Sequence, residues 1–134
     1  MCVFFFKQKT AYENHQGLKF RRVLCRSGLE SLANSEGIRE AAITSCIGSL
    51  SQLKLRNLCD RKDGVPEFER QTINENLELV SAEGYIQPLE EGGIRVHIHV
   101  AAARPSGDMV GGHCEDATCF TGAFMYLQVI EETP

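Results

Sequence analysis

Apolar and polar positions alternate most regularly over Ile94-Arg95-Val96-His97-Ile98-His99-Val100-Ala101. Side chains on a strand point to opposite faces with period two. Ile94, Val96, Ile98 and Val100 are therefore expected on a core face, with His97 and His99 together on the other. Weaker forms of this pattern mark further strands. Residues 41–48 are an apolar run ending in glycine, consistent with a buried strand, and residues 50–58 set Leu53 and Leu55 against Lys54 and Arg56. The polar stretch 60–64 reads as a turn, and alternation resumes over 66–72, so a hairpin is expected there. Residues 76–86 form another strand, with Gly84 at a bulge or a close approach. Pro105-Ser106-Gly107-Asp108 has turn chemistry; it is followed by one segment over 109–114 and a long strand over 117–130. One helix precedes these strands: Leu29, Leu32 and Ala33 stand at i, i+3 and i+4 over 29–36, and Gly37 follows as a C-cap. The pattern predicts an α+β domain, an antiparallel or mixed sheet of about seven strands with one or two helices.

Composition narrows the function classes. At 134 residues the chain is the size of one domain, 43% apolar and 24% charged, with a net charge of -4. The global positive field of a nucleic-acid binder is missing, and the basic residues after position 28 are spread among acids. No stretch of 18 apolar residues occurs, so no membrane span is expected. The six cysteines form neither a compact framework nor a C-x-x-C pair, which fits a reducing, cytoplasmic compartment. Cys46 lies in the apolar run at 41–48, where a free thiol acts as a small hydrophobe.

Residues 1–27 break this composition, with six basic residues against one acid, Glu13. They lack periodicity and resemble translated sequencing-adapter sequence. We expect a non-native, loosely attached segment at 1–27 and a working domain at 28–134. A basic arm for nucleic acid is the alternative for the first segment.

The candidate chemistry lies in three of the four histidines, His97, His99 and His113. Same-face neighbours on a strand have Cα atoms about 7 Å apart, so two imidazoles can converge on one ion. His113 joins them across a hairpin in one of two ways. If the turn centres between Ser106 and Gly107, a one-residue bulge at Gly111-Gly112 must correct the register. If the turn is odd-numbered, His113 lies directly opposite His99. Three histidines with an open fourth position is the donor pattern of a catalytic zinc, although nickel, iron or copper also take imidazole. Glu83, Glu115 and Asp116 are the nearby carboxylates that could move a proton.

These residues also carry a family resemblance. Glu36-Gly37-Ile38, residues 46–50, residues 78–84, Val96-His97-Ile98-His99-Val100 and residues 107–113 occur in the order seen in the plant and prokaryote conserved (PPC) domain. The resemblance spans about residues 29–131. It implies a mostly antiparallel sheet, usually assembled as a homotrimer, and a prokaryotic type that keeps the histidine trio. The domain's expected first strand is absent. Plant members bind AT-rich DNA through an Arg-Gly-Arg-Pro core that enters the minor groove. No such core is present here, so binding of DNA, with nucleoid association, rests on the resemblance alone. A glutamate usually follows Gly-Gly-His by three positions; Asp116 occupies that place. The fold implied is similar to that of acetolactate decarboxylase, a zinc enzyme with three histidine ligands. Three functions are compatible with this reading. They are a metal-binding, DNA-associated regulatory domain, a small zinc-dependent lyase or hydrolase acting on a carbonyl compound, and a protein-interaction module that uses residues among Phe120, Phe124, Met125, Tyr126 and Leu127, whose inward-facing half is expected in the core.

Overall fold

The structure, a computed structural model, describes residues 4–7, 18–19 and 26–130. In chain order the elements are β1 (Phe4–Lys7), β2 (Leu18–Lys19), α1 (Arg26–Ser35), β3 (Ala41–Lys62), β4 (Val65–Ile73), β5 (Leu77–Pro88), β6 (Ile94–Ala103) and β7 (Met109–Val129). Most of the segment expected to be foreign, 1–27, lies outside the described residues. Within it, Phe4–Lys7 pairs parallel to β7 and Leu18–Lys19 pairs with Phe4 and Phe5.

Among the described residues from 28 onward there are five strands rather than about seven, and one helix. The difference comes from two expected breaks that are bends instead. β3 runs through Gly48 without interruption, absorbing register shifts between Gly48 and Leu50 and between Leu50 and Gln52. Such bulges tighten the local twist and bend a strand without ending it. Gly48 is needed for contact rather than for a turn, since a Cβ there would strike the Gly122 carbonyl and the Ala123 backbone. β7 likewise passes through Glu115 and Asp116, opposite the shift between Lys54 and Leu55.

The bends let the strands close on themselves. β3 pairs with β5, β5 with β6, β6 with β7, and β7 returns to β3 from Val129 opposite Ala41 to Cys114 opposite Leu55. All four pairings are antiparallel, so closure leaves few open edges in this part of the sheet. β4 extends the far half of β3 as a hairpin whose two-residue turn, Asp63-Gly64, has positive φ at both positions. That is the turn geometry that matches strand twist.

The core fills the ring. Ile43, Leu50 and Leu53 of β3, Ile86 of β5, Ile98 of β6 and Met125 of β7 are all buried. Each large aliphatic side chain removed from water contributes about 1.5–3 kcal/mol. α1 packs against β6 and adds Leu29, Leu32 and Ala33 to the same cluster. Gly37 ends the helix at φ 68°, and the Ile38 amide donates to the Ala33 carbonyl at 2.7 Å. This is the predicted glycine cap, which satisfies a carbonyl left open at the helix end. Cys46 is fully buried, and burial pushes its thiol up to about 12, as a hydrophobe-like cysteine requires. Among the described residues no helix is long and apolar enough to cross a membrane.

Candidate metal centre

On β6 the inward side chains Val96, Ile98 and Val100 fix His97 and His99 on the outer surface of the ring. Their imidazoles stack with centroids 5.0 Å apart, and their Nε2 atoms approach to 3.0 Å. In the neutral forms one Nε2 donates and the other accepts.

The connection to β7 determines where His113 falls. Residues Arg104 to Asp108 form a five-residue loop closed by the Arg104 amide donating to the Asp108 carbonyl at 2.8 Å. Gly107 stands at φ 92° and its amide donates to the Arg104 carbonyl. An odd loop places His113 directly opposite His99, with unbroken register from Ala103–Met109 onward. The bulge geometry at Gly111-Gly112 is thus not the one found. Those glycines serve close contacts instead: a Cβ on Gly111 would strike the Val100 carbonyl, and one on Gly112 would strike the Asn57 side chain.

Asn57 is a residue that sequence reasoning missed. Past Leu55, β3 peels away into its hairpin with β4, and the backbone ladder to β7 stops. The Asn57 amide replaces it: Nδ2 donates to the Gly111 carbonyl at 2.9 Å, and the His113 amide donates to Oδ1 at 3.0 Å. The backbone of His113 is thereby held from both sides.

The three imidazoles meet as one group. His113 lies 4.7 Å from His97 and 5.5 Å from His99 between ring centroids, and one donor atom from each lies within 4.8 Å of the others. Metal–nitrogen bonds of about 2.0–2.1 Å require donors roughly 3.3 Å apart. The separations bracket that value, so small ring rotations bring all three onto one ion and the group could hold a metal. Tyr85, another residue not foreseen, stacks on the far face of His97 at 5.1 Å and 6° and limits its rotation. Only the register of β5 against β6, Tyr85 opposite His97, could have identified it.

Electrostatics favour the neutral, ligating form. His97 is held below the ordinary histidine value of 6.5, first by burial and then by His99, Arg95 and Arg26. His113 is also lowered, first by burial, then by His97 and His99, with Arg56 adding to the effect and Glu115 opposing it. A cation so close to a second protonated ring would be repelled.

The three carboxylates occupy different settings. Glu83 stands opposite His99 on β5 and accepts from the Ser81 hydroxyl at 3.3 Å. Glu115 accepts from Arg70 Nε at 3.1 Å through both oxygens. Asp116 pairs with Lys54 at 3.6 Å, and its Oδ1 is buried without a partner among the described residues. Glu83 is therefore the carboxylate beside the imidazoles that is not engaged by a cation among the described residues.

A family model described as the Plants and Prokaryotes Conserved domain matches residues 25–131. Among solved structures, a plant- and prokaryote-conserved protein from Pyrococcus horikoshii is 26% identical, covering 84% of this chain and 77% of its own, with a TM-score of 0.70. A candidate DNA-binding protein from Ralstonia eutropha is 24% identical, with 83% and 76% covered and a TM-score of 0.67. A metal-containing protein from Archaeoglobus fulgidus is 24% identical, with 100% and 89% covered and a TM-score of 0.64. No curated protein matches the chain.

Proposed function

The chain belongs to the Plants and Prokaryotes Conserved domain family, and from that membership we propose a divalent-metal-binding domain whose ion is held by His97, His99 and His113. One observation carries the reading: three imidazoles from two strands converge within 4.8 Å on a partly exposed surface. The metal-containing relative supports it. Zinc suits three neutral nitrogens, and such an ion, when bound, supplies a Lewis-acid position with a fourth site open. Beside it the chain offers Glu83 to hold a proton and Tyr85 to fix the ring of His97. A lyase or hydrolase on a carbonyl compound is the enzymatic form of this reading.

Assembly as a homotrimer is part of the proposal. It is supported by half-exposed apolar side chains on the outer sheet face, such as Ile47 paired opposite Phe124. A reducing, cytoplasmic setting is part of the proposal; it is supported by Cys46, which is buried as a small hydrophobe. Residues 28–134 are the working domain, and residues 1–27 are taken as extraneous to it.

The pH dependence tests the site. Protons compete with the ion for neutral imidazoles. With His97 and His113 lowered from 6.5, the folded chain takes up protons later than the unfolded chain as pH falls. Metal content is expected to stay constant from pH 8 through 6.5 and to fall only under more acid conditions. The apoprotein is expected to lose stability in the same acid range. Elemental analysis after equilibration at stepped pH follows the first effect, and thermal melts follow the second. Loss of metal above pH 7 would contradict the assignment.

DNA association is the second reading. The similar structure from Ralstonia eutropha, a candidate DNA-binding protein, favours it. It requires duplex retention at low salt that weakens linearly in log affinity against log salt. Given a net charge of -4, we expect weak retention at best, measured on residues 28–134 by fluorescence anisotropy.

A further inference from the structure

The outer face of the sheet carries a row of chemistry-bearing side chains that extends beyond the histidines. Arg70 on β4 pairs opposite Arg56 on β3. The ladder to β7 ends at Leu55, but Asn57 holds the His113 amide, and its chain neighbour Arg56 acts on the His113 ring through its charge. His113 pairs opposite His99, and His99 opposite Glu83. Directly opposed side chains have Cβ atoms about 4.5–5.5 Å apart, which links Arg70 to Arg56 and joins His113, His99 and Glu83; the charge of Arg56 acting on His113 connects the two sets.

Arg56 is the unexplained member. Its guanidinium lies over the Phe68 ring at 4.2 Å from the centroid. Its Nε is buried and has no hydrogen-bond partner among the described residues. A buried polar group on a cation is costly unless an acceptor meets it. The acid that meets this cation pair, Glu115, is already held through both oxygens by Arg70. Arg56 is thus a cation fixed on an aromatic platform next to a metal ligand, with its inner edge unused.

We infer that Arg56 forms an anion subsite of the three-histidine centre, which seats the carboxylate of a small hydroxy- or oxo-carboxylate ligand. The planar guanidinium edge suits a carboxylate, which it meets with two parallel hydrogen bonds. The row also orients such a ligand. Positive charge stands at the Arg56 end and a carboxylate, Glu83, at the His99 end. The ligand's acid therefore points to Arg56, and its hydroxyl or carbonyl oxygen lies over the histidines. This inference rests on the metal reading above.

The test uses the full chain loaded with cobalt(II), titrated with glycolate and followed by the visible bands of the bound ion. Ethylene glycol, of similar size but neutral, is the control. Arg56→Gln is expected to weaken glycolate by about tenfold to a hundredfold, with Arg56→Lys between it and the unsubstituted chain. Ethylene glycol should respond to neither change. Metal content is measured separately on every variant. If no chain retains cobalt, the metal reading fails and the inference fails with it. If cobalt is retained and Arg56→Gln binds glycolate as the parent does, the Arg56 inference alone is overturned. A changed oligomeric mass in Arg56→Gln with unchanged glycolate affinity would also overturn it, since Arg56 would then serve an interface between copies.

Discussion

His99→Ala is expected to abolish stable metal retention while leaving the fold intact. The side chain is exposed and its ring meets His97 and His113, so the apoprotein should melt within about 0.5 kcal/mol of the parent. Two nitrogens would remain for the ion. Losing even a group that only supports a ligand costs about 10–100-fold in metal affinity, so losing a ligand should exceed that. Elemental analysis after gel filtration should find about one ion per chain in the parent and traces in the variant. His97→Ala and His113→Ala should behave alike, because no pair of these histidines forms a site without the third. An ion retained at full stoichiometry in all three variants would require other ligands and would end the proposal.

The second large effect is expected at Gly84. A Cβ there would strike the carbonyl of His97 and press on the Ile98 backbone. Neither is a flexible side-chain tip, so β5 and β6 would have to separate. Overpacking of this kind costs roughly 1–3 kcal/mol, and contact with backbone places Gly84→Ala near the upper end. The same displacement moves His97, so metal affinity should fall together with the melting temperature. Gly92→Ala separates contact from backbone strain: a Cβ there meets nothing within 4 Å, but φ is 95°, so any cost at that site is conformational. If Gly84→Ala melted like the parent, the close approach of the two strands would be disproved.

Much of this was legible from alternation alone. The faces of β6, the glycine cap on α1 and the hairpin from β3 to β4 all follow from local patterns that tertiary contacts reinforce. The strand count was not legible, because a glycine inside a run reads the same whether it ends a strand or lets a neighbour approach. Gly48 is the second kind. The histidine trio was legible as a set, but its register was open until the loop closed as five residues. Asn57, Arg56 and Tyr85 join the site only through pairings between strands distant in sequence. A side chain 54 residues from the carbonyl it contacts leaves no periodic trace. Knowledge of β3 against β7, and of β5 against β6, is what reveals them.

The five-residue loop between β6 and β7 has one more consequence, for how such a site is inherited. Surface loops ordinarily tolerate insertions and deletions. Here a single added or lost residue at 104–108, without a compensating bulge such as one at Gly111-Gly112, would reverse which face of β7 the side chains next to the loop take, turning His113 inward. The mutation would behave like a reading-frame error written in three dimensions. A lineage that changed this loop by one residue without such a bulge would break up the histidine cluster with all three histidines still present in its sequence.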